Sequence, residues 1–226
     1  MSGGDNPVVK EIKKIAWLGS APGRVGGQSR VAFFTLKEFA DRKFEVVAAG
    51  VGSQYLDAGE KSFCAFQPLD LQDTNGIMAW LAREQPDVLI LSHDIWRFYG
   101  LPQIRHNFPN LCIVGWITID AHPIHPSWCP LIRCLDLVLV PTQFGKEIIY
   151  KSFPEKSVFV VPYGVDKRFQ PHEGGKAAAR AALKDCGLKG LENKAVFCFA
   201  GVNQFKKNIG AMVDAFALQP RIQEAV

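Results

Sequence analysis

The chain has 226 residues, 48% of them hydrophobic and 21% charged, which is ordinary for a globular protein of one large domain or one and a half typical ones. Its formal net charge of +4 is too small to indicate a nucleic-acid-binding protein, although it suits an anionic small ligand or loose peripheral contact with an acidic membrane surface. No apolar run approaches the length of a membrane span, and the first residues lack an apolar signal core, so we expect a cytoplasmic protein with reduced cysteines.

The first part of the chain has the residue pattern that opens a Rossmann-like domain. Apolar residues predict strands over Ile15–Leu18 and Phe44–Ala49, and between them the apolar residues of positions 29–42 recur at helical spacing. Residues 51–70 show no clear pattern, and a helix is predicted over Asn75–Arg83. Because strand, glycine-rich loop, helix and strand follow one another, we expect an α/β domain with a parallel sheet and flanking helices.

The glycine-rich loop over residues 19–27 contains Gly23, Gly26 and Gly27. Bare backbone N–H groups ahead of a helix form an anion site, because the helix dipole favours negative charge there. The glycine spacing is not GxGxxG, and no GK[ST] of a P-loop follows. On the loop alone, a surface turn that uses glycine for its backbone freedom is the stronger interpretation.

Polar side chains follow two further strands of the predicted sheet. The apolar runs Asp87–Leu91 and Cys112–Ile117 predict these strands. Each run is followed within a few residues by a His and an Asp, namely His93, Asp94, Asp120 and His122. Ligands of parallel sheets bind at the carboxyl ends of the strands, so these side chains are candidates for a site. The alternative is that they cap the loops in which they lie.

A metal site is another interpretation of the second of these loops. The side chains concerned are His122, His125, Cys129 and Cys134. Imidazole and thiolate groups suit zinc, but the spacing H-x2-H-x3-C-x4-C fits no common structural site. We therefore expect no metal.

The next segment predicts a strand, a helix and a second strand. Leu135–Val140 and Ser157–Pro162 are apolar runs of strand length, and Thr142 can cap the helix between them. Three apolar residues of that helix fall on one face, namely Phe144, Ile148 and Ile149. Two buried strands joined by a crossover helix form a parallel pair, so the turns at 141–142 and 163–166 should border a cleft.

The last part of the chain predicts the start of a second α/β domain. Residues 172–194 form a bridge that contains an Ala-rich helix over Lys176–Asp185. A strand is predicted over Ala195–Ala200. An amphipathic helix follows, with apolar residues at Ile209, Met212, Val213 and Phe216. We therefore expect a first domain over 12–171 and an incomplete Rossmann-like domain over 195–226.

Three motifs lie close together in the chain. They are P-T-x-F-G-K-E over Pro141–Glu147, V-P-Y-G-V-D over Val161–Asp166 and F-Q-P over Phe169–Pro171. In combination they resemble the internal signature of the retaining, GT4-like group of GT-B glycosyltransferases, which is roughly P-S-x-F-x-x-E, then I-P-[HN]-G-V-D, then F-x-P. Each motif alone is weak, whereas the combination is specific.

The resemblance implies a GT-B fold, in which a first Rossmann-like domain binds mainly the acceptor and a second binds mainly a nucleotide-diphosphate sugar. It implies that the donor diphosphate is held by Gly26, Gly27, Lys206 and Lys207. It implies an acceptor site or reaction centre lined by Asp120 and His122, with His93 and Asp94 as the alternative candidates. It implies a cleft further lined by Asp94, Thr142, Gly164, Asp166 and Asn203. The reaction implied is retaining sugar transfer without metal or cofactor, and the donor, the acceptor and the oligomeric state stay open.

The chain departs from the family pattern at two places in the second domain. The family opens its donor domain with G-R-x4-K-[GN], and here Gly201, Lys207 and Asn208 match while Val202 stands at the Arg position. The family's E-x7-E segment, which contacts nucleotide and sugar, would lie beyond Val226. We therefore expect a fragment of a longer enzyme or, alternatively, a non-catalytic Rossmann-like remnant or binding module. A dinucleotide-dependent oxidoreductase ranks last, because it needs GxGxxG and an acidic residue after the second strand.

Overall fold

The computed structural model describes residues 11–54, 56, 62–165, 170–185, 187–190, 196–199 and 205–218. The chain divides into two compact units, Met1–Gly164 and Val165–Val226. This division falls before Pro171, the residue at which the sequence pattern ends the first domain.

The first unit contains a seven-stranded sheet with the strand order β3-β2-β1-β4-β5-β6-β7. All neighbouring strands run parallel. The strands are β1 Lys14–Ser20, β2 Glu45–Val51, β3 Ala65–Pro68, β4 Val88–Ser92, β5 Cys112–Trp116, β6 Leu137–Val140 and β7 Ser157–Val160. The expected α/β, Rossmann-like parallel sheet is confirmed. Strand β3 lies in the segment to which the sequence pattern assigned nothing.

Five helices of the first unit flank this sheet. They are α1 Gly27–Asp41, α2 Thr74–Glu84, α3 Leu101–Asn107, α4 Cys129–Arg133 and α5 Gln143–Ser152. Two short 3₁₀ turns, Ile95–Phe98 and Pro126–Trp128, follow β4 and β5. In the part of the chain that the structure describes, none of the helices is long and apolar enough to cross a membrane.

Alternate strand residues form two apolar cores, one on each face of the sheet. Helix α1 packs on one face, where Trp17 and Leu36 are fully buried. Helices α2 to α5 pack on the other face, where Leu18, Leu89 and Ile149 are fully buried. Full burial of one such side chain stabilises the fold by roughly 1.5–3 kcal/mol. The packing on both faces therefore stabilises the sheet, including its carboxyl edge.

One predicted core position of α5 is wrong. Ile148 and Ile149 are buried as expected, but Phe144 is 46% exposed. The reason lies in the next residue, because a Cβ added at Gly145 would stand 3.2 Å from the Cβ of Val140. The first turn of α5 therefore packs closely on the end of β6 through Gly145, and Phe144 points away from the core.

The second unit contains helices α6 Gly175–Asp185 and α7 Ile209–Ala217, with a 3₁₀ turn at Phe205–Lys207. Both predicted helices are therefore present. The strand predicted over Ala195–Ala200 is not observed in its described part, residues 196–199, and its two end residues lie outside the described residues. The predicted apolar face of α7 is largely exposed, as at Met212, Val213 and Phe216.

Candidate functional site

The strand order creates a switch point between β1 and β4. From β1 the chain proceeds to β2 and β3 on one side, and it then returns to β4 on the other side of β1. Loops that leave two such strands diverge, so a crevice opens between them at the carboxyl edge of the sheet. The glycine-rich loop follows β1, and His93 and Asp94 follow β4. The structure therefore brings these two predicted features to one crevice.

Glycines let the strand ends at this crevice approach one another closely. Gly19 is in register with Gly50 of β2 and with Ser92 of β4. A Cβ added at Gly19 would lie 2.3 Å from the backbone oxygen of Ser92, and one added at Gly50 would lie 1.8 Å from the backbone oxygen of Gly19. Backbone atoms therefore form the floor of the crevice between the three strands.

The glycine-rich loop ends at the N-terminus of α1, which begins at Gly27. Gly26 is the N-cap residue, with φ 89° and ψ 145°, and its carbonyl oxygen accepts a hydrogen bond of 3.0 Å from the backbone N–H of Arg30. No side chain caps this end of the helix. A Cβ added at Gly27 would meet nothing within 4 Å. The first turn of α1 therefore presents backbone N–H groups at an open position, which is the geometry that binds anions.

Two buried donors near the switch point were not predicted from the sequence. Among the described residues, the buried side-chain nitrogens without a hydrogen-bond partner are Trp17 Nε1 and Arg97 Nε. Trp17 Nε1 lies 3.1 Å from the place where a Cβ on Gly19 would stand. An apolar strand followed by glycine gives no signal for such a donor, because the missing partner is a property of the tertiary packing.

His93 lies in the loop after β4 with its side chain 12% exposed. Its Nδ1 accepts a hydrogen bond of 2.8 Å from the backbone N–H of Asp94, so the neutral ring carries its proton on Nε2. Burial lowers the pKa of His93, the nearby Asp94 carboxylate opposes this change, and Arg97 reinforces it. At neutral pH, His93 is therefore an uncharged hydrogen-bond donor at the edge of the crevice.

Asp120 and His122 lie in the loop after β5, the strand next to β4. Both side chains are exposed. The nearby His125 contacts Ser127, with Nδ1 2.7 Å from Oγ. Within the described ranges, no three His, Cys, Asp or Glu side chains gather as a metal site. His125, Cys129, Cys134 and His122 therefore form no such cluster.

The other predicted site residues have simpler placements. Thr142 caps α5, because its Oγ1 accepts a hydrogen bond of 3.1 Å from the backbone N–H of Gly145. Gly164 is exposed at the end of the first unit. Lys206 and Lys207 belong to a 3₁₀ turn of the second unit, where Lys207 is exposed. Two predicted residues lie outside the described residues, Asp166 and Asn203.

A contact between two aromatic residues at the carboxyl edge was also not predicted from the sequence. The rings of Trp116 and Tyr163 lie 5.4 Å apart between centroids. The hydroxyl oxygens of Tyr163 and Thr118 are 3.1 Å apart. Trp116 is the last residue of β5, Thr118 follows it, and Tyr163 follows β7, so they meet across the end of β6. Forty-odd residues separate the partners in sequence, and no local pattern links them.

No family model matches the chain, and no curated protein matches it. Similar solved structures include an alpha-glucosyltransferase in complex with UDP and a 13-mer DNA containing a HMU base, at 14% identity over 69% of this chain and 44% of that one, with a TM-score of 0.48. The lipopolysaccharide outer core galactosyltransferase WaaB, in apo form, is 18% identical over 73% of this chain and 50% of its own, with a TM-score of 0.49.

A third similar structure is the UDP-GlcNAc 2-epimerase from Methanocaldococcus jannaschii, at 12% identity over 66% of this chain and 45% of that one, with a TM-score of 0.41. The chain thus spans half or less of the length of these three proteins. At such identities and TM-scores the likeness carries no argument about activity.

Proposed function

We propose that this chain is the acceptor-side part of a retaining, GT4-like GT-B glycosyltransferase, which moves a sugar from a nucleotide-diphosphate sugar to an acceptor. One observation carries the proposal. The first motif, Pro141–Glu147, and the described part of the second, residues 161–165, fall on the β6–α5–β7 unit and the turns that leave its strands. Those turns lie at the carboxyl edge of the sheet, where parallel α/β folds bind ligands.

The glycine-rich loop supports a phosphate-bearing substrate. A departing nucleoside diphosphate gains negative charge, and backbone N–H groups and fixed cations stabilise it. The uncapped first turn of α1 supplies such N–H groups at the open position of Gly27. In this proposal Gly26 and Gly27 are diphosphate-binding residues of the first unit and Lys206 and Lys207 are those of the second, and the proposed reaction uses neither a metal nor a further cofactor.

The loops after β4 and β5 supply polar groups for the acceptor. Asp120 and His122 are exposed and can accept or donate a hydrogen bond to a hydroxyl group, and the neutral His93 can donate one. In this proposal these three residues line the reaction centre, while Asp94, Thr142, Gly164, Asp166 and Asn203 line the remaining cleft. We assign the role of general base to none of them.

A calorimetric titration of the purified chain with UDP, GDP and ADP tests the proposal. The Lys207→Ala variant should weaken binding of the preferred nucleotide by about tenfold, because it removes one charge-assisted hydrogen bond. Lys189→Ala is the matched control, since Lys189 is an exposed lysine of the same unit. It should bind like the wild type.

Two results would contradict the proposal. Heat changes indistinguishable from dilution for all three nucleotides would contradict donor binding, and equal affinity in Lys207→Ala and wild type would contradict the role of Lys207. The first result favours the alternative of a non-catalytic Rossmann-like binding module. Val202 at the family's Arg position also favours this alternative.

A further inference from the structure

Tyr163 is an aromatic side chain that is held in place at the carboxyl edge of the sheet and yet remains 37% exposed. One side of its ring faces Trp116, at 5.4 Å between centroids and an interplanar angle of 41°. Its hydroxyl group lies 3.1 Å from Thr118 Oγ1. An exposed tyrosine ordinarily samples several rotamers, so two fixed contacts of this kind set the direction of the ring.

The support behind Tyr163 is itself rigid. Trp116 is 7% exposed, and its Nε1 donates a hydrogen bond of 3.2 Å to the carbonyl oxygen of Val161. Its other neighbour is the fully buried Trp17, with ring centroids 6.5 Å apart in an edge-to-face arrangement. The rings of Trp17, Trp116 and Tyr163 therefore contact one another in series, from the core beneath α1 to the surface. Such preorganisation lowers the entropy that a ligand loses when it binds.

The groups beside Tyr163 indicate which ligand suits this ring. Thr118 is two residues before Asp120, so their Cα atoms lie within about 7 Å of one another. The two hydroxyl groups at the aromatic ring, and the exposed carboxylate of Asp120 two residues after Thr118, match a neutral ring that has an apolar C–H face and hydroxyl groups at its rim. A nucleotide could also stack on an aromatic ring, but its phosphates would be repelled by the Asp120 carboxylate.

We infer that Tyr163 is a stacking platform for a pyranose ring of the acceptor, with Thr118 and Asp120 at the hydroxyl rim. This inference rests on the proposed function, because it names the acceptor as a sugar-bearing molecule. In the family pattern the position of Tyr163 is His or Asn, neither of which offers a comparable apolar face. The aromatic side chain at this position is therefore a specific feature of this chain.

Saturation-transfer NMR tests the inference with the methyl α-pyranosides of glucose, galactose and mannose as probes, and acyclic sorbitol as the comparison. The ring protons of at least one pyranoside should receive saturation from the protein, and sorbitol should not. Tyr163→Leu should weaken that pyranoside's affinity by about five- to tenfold, because it keeps an apolar side chain and removes the aromatic face. Tyr163→Phe keeps the ring, so its affinity should stay within about threefold of wild type.

Tyr150→Leu is the matched control, because Tyr150 is an exposed tyrosine on α5. It should bind the pyranoside like the wild type. Equal binding by wild type and Tyr163→Leu, or no saturation of any pyranoside by wild type, would overturn the inference. If Tyr163→Leu does not fold, as judged by near-ultraviolet circular dichroism, the wild-type comparison of pyranoside with sorbitol still decides.

The nucleotide titration separates this inference from the proposed function. Tyr163→Leu should bind the preferred nucleotide with wild-type affinity, since Tyr163 is not among the residues assigned to the diphosphate. Pyranoside binding through Tyr163 without any nucleotide binding would support the platform and contradict donor binding. Nucleotide binding with no pyranoside binding would support donor binding and contradict the platform.

Discussion

Alanine substitutions at the two adjacent glycines of the loop after β1 should have opposite effects on stability. Gly26 has φ 89° and ψ 145°, a region that residues with a side chain rarely adopt. The nearest atom to a Cβ at Gly26 is Ser29 Oγ at 3.8 Å, so steric contact is not the problem. Backbone strain of this kind costs about 1–3 kcal/mol, and we expect Gly26→Ala to lose that much stability.

Gly27 is the first residue of α1, and a Cβ there would meet nothing within 4 Å. Alanine restricts the unfolded chain more than glycine does, and it favours the helix. We therefore expect Gly27→Ala to stabilise the protein by about 0.4–1 kcal/mol. Urea unfolding followed by circular dichroism measures both variants, and the unfolding midpoints should move in opposite directions at unchanged slope.

The same pair of variants separates stability from anion binding. The methyl group of Gly27→Ala occupies the open position in front of the helix N-terminus, where a diphosphate would accept hydrogen bonds from backbone N–H groups. Loss of one charge-assisted hydrogen bond lowers affinity by about 10- to 100-fold. The variant should therefore be more stable than wild type and bind the preferred nucleotide more weakly.

Two outcomes would refute this reasoning. If Gly27→Ala loses as much stability as Gly26→Ala, the backbone angle of Gly26 is not what requires glycine in this loop. If Gly27→Ala is stable and binds the nucleotide with wild-type affinity, the first turn of α1 does not hold the diphosphate. In that case the glycine-rich loop is a surface turn.

Three further predictions concern the first unit and an exposed thiol of the second. Gly50→Ala should lose several kcal/mol in urea unfolding, roughly what core overpacking costs, because its Cβ would stand 1.8 Å from the backbone oxygen of Gly19 at φ 141°. The pKa of His93 is lowered from 6.5 mainly by burial, so its contribution to stability is present above that value and is lost as pH falls through the folded pKa. As pH falls from about 7 to about 5, the free energy of unfolding should therefore decrease less for His93→Gln than for the wild type. An equal decrease in both proteins would contradict a lowered pKa of His93. Burial raises the pKa of Cys64 to about 11, so a maleimide reagent at neutral pH should label the exposed Cys198 and spare Cys64, as read by mass spectrometry of the folded protein.

The sequence predicted those elements that are buried on both sides or capped by a local signal. Strands β1 and β4 are continuous apolar runs, because a central parallel strand meets core residues on each face. Helix α5 was placed correctly because Thr142 caps it, and the structure contains that hydrogen bond. In both cases the cause of the structure lies within a few residues of the element.

Elements without such a signal were missed. Strand β3 has no buried residue, so it lacks the apolar run that marks the central strands. Helix α3 has seven residues, about two turns, and this is too short to show a helical period. Phe144 was misplaced for a different reason, because helical periodicity cannot show that Gly145 brings the first turn onto Val140.

The candidate site was predictable only where glycine or a strand end marked it. The loop before Gly27 and the residues after β4 were found in this way, and the strand order then placed them at one crevice. The unpartnered Trp17 nitrogen and the contact of Tyr163 with Thr118 depend on strands far apart in the sequence. Such features appear only when the register of the sheet is known.

The loops that follow β1 and β5 at the carboxyl edge differ in charge and favour different ligands. The loop over 21–26 contains Arg24 and no acidic residue, and it leads into the uncapped helix N-terminus. The loop over 118–125 contains Asp120 and neither Lys nor Arg, and it lies beside the ring of Tyr163. An anion is stabilised beside the first loop and repelled by the carboxylate of the second, whereas a neutral polyol can bind beside the second. This difference in charge suits the proposed function, in which a phosphate-bearing donor and an uncharged acceptor bind at different places, because each loop disfavours the other substrate.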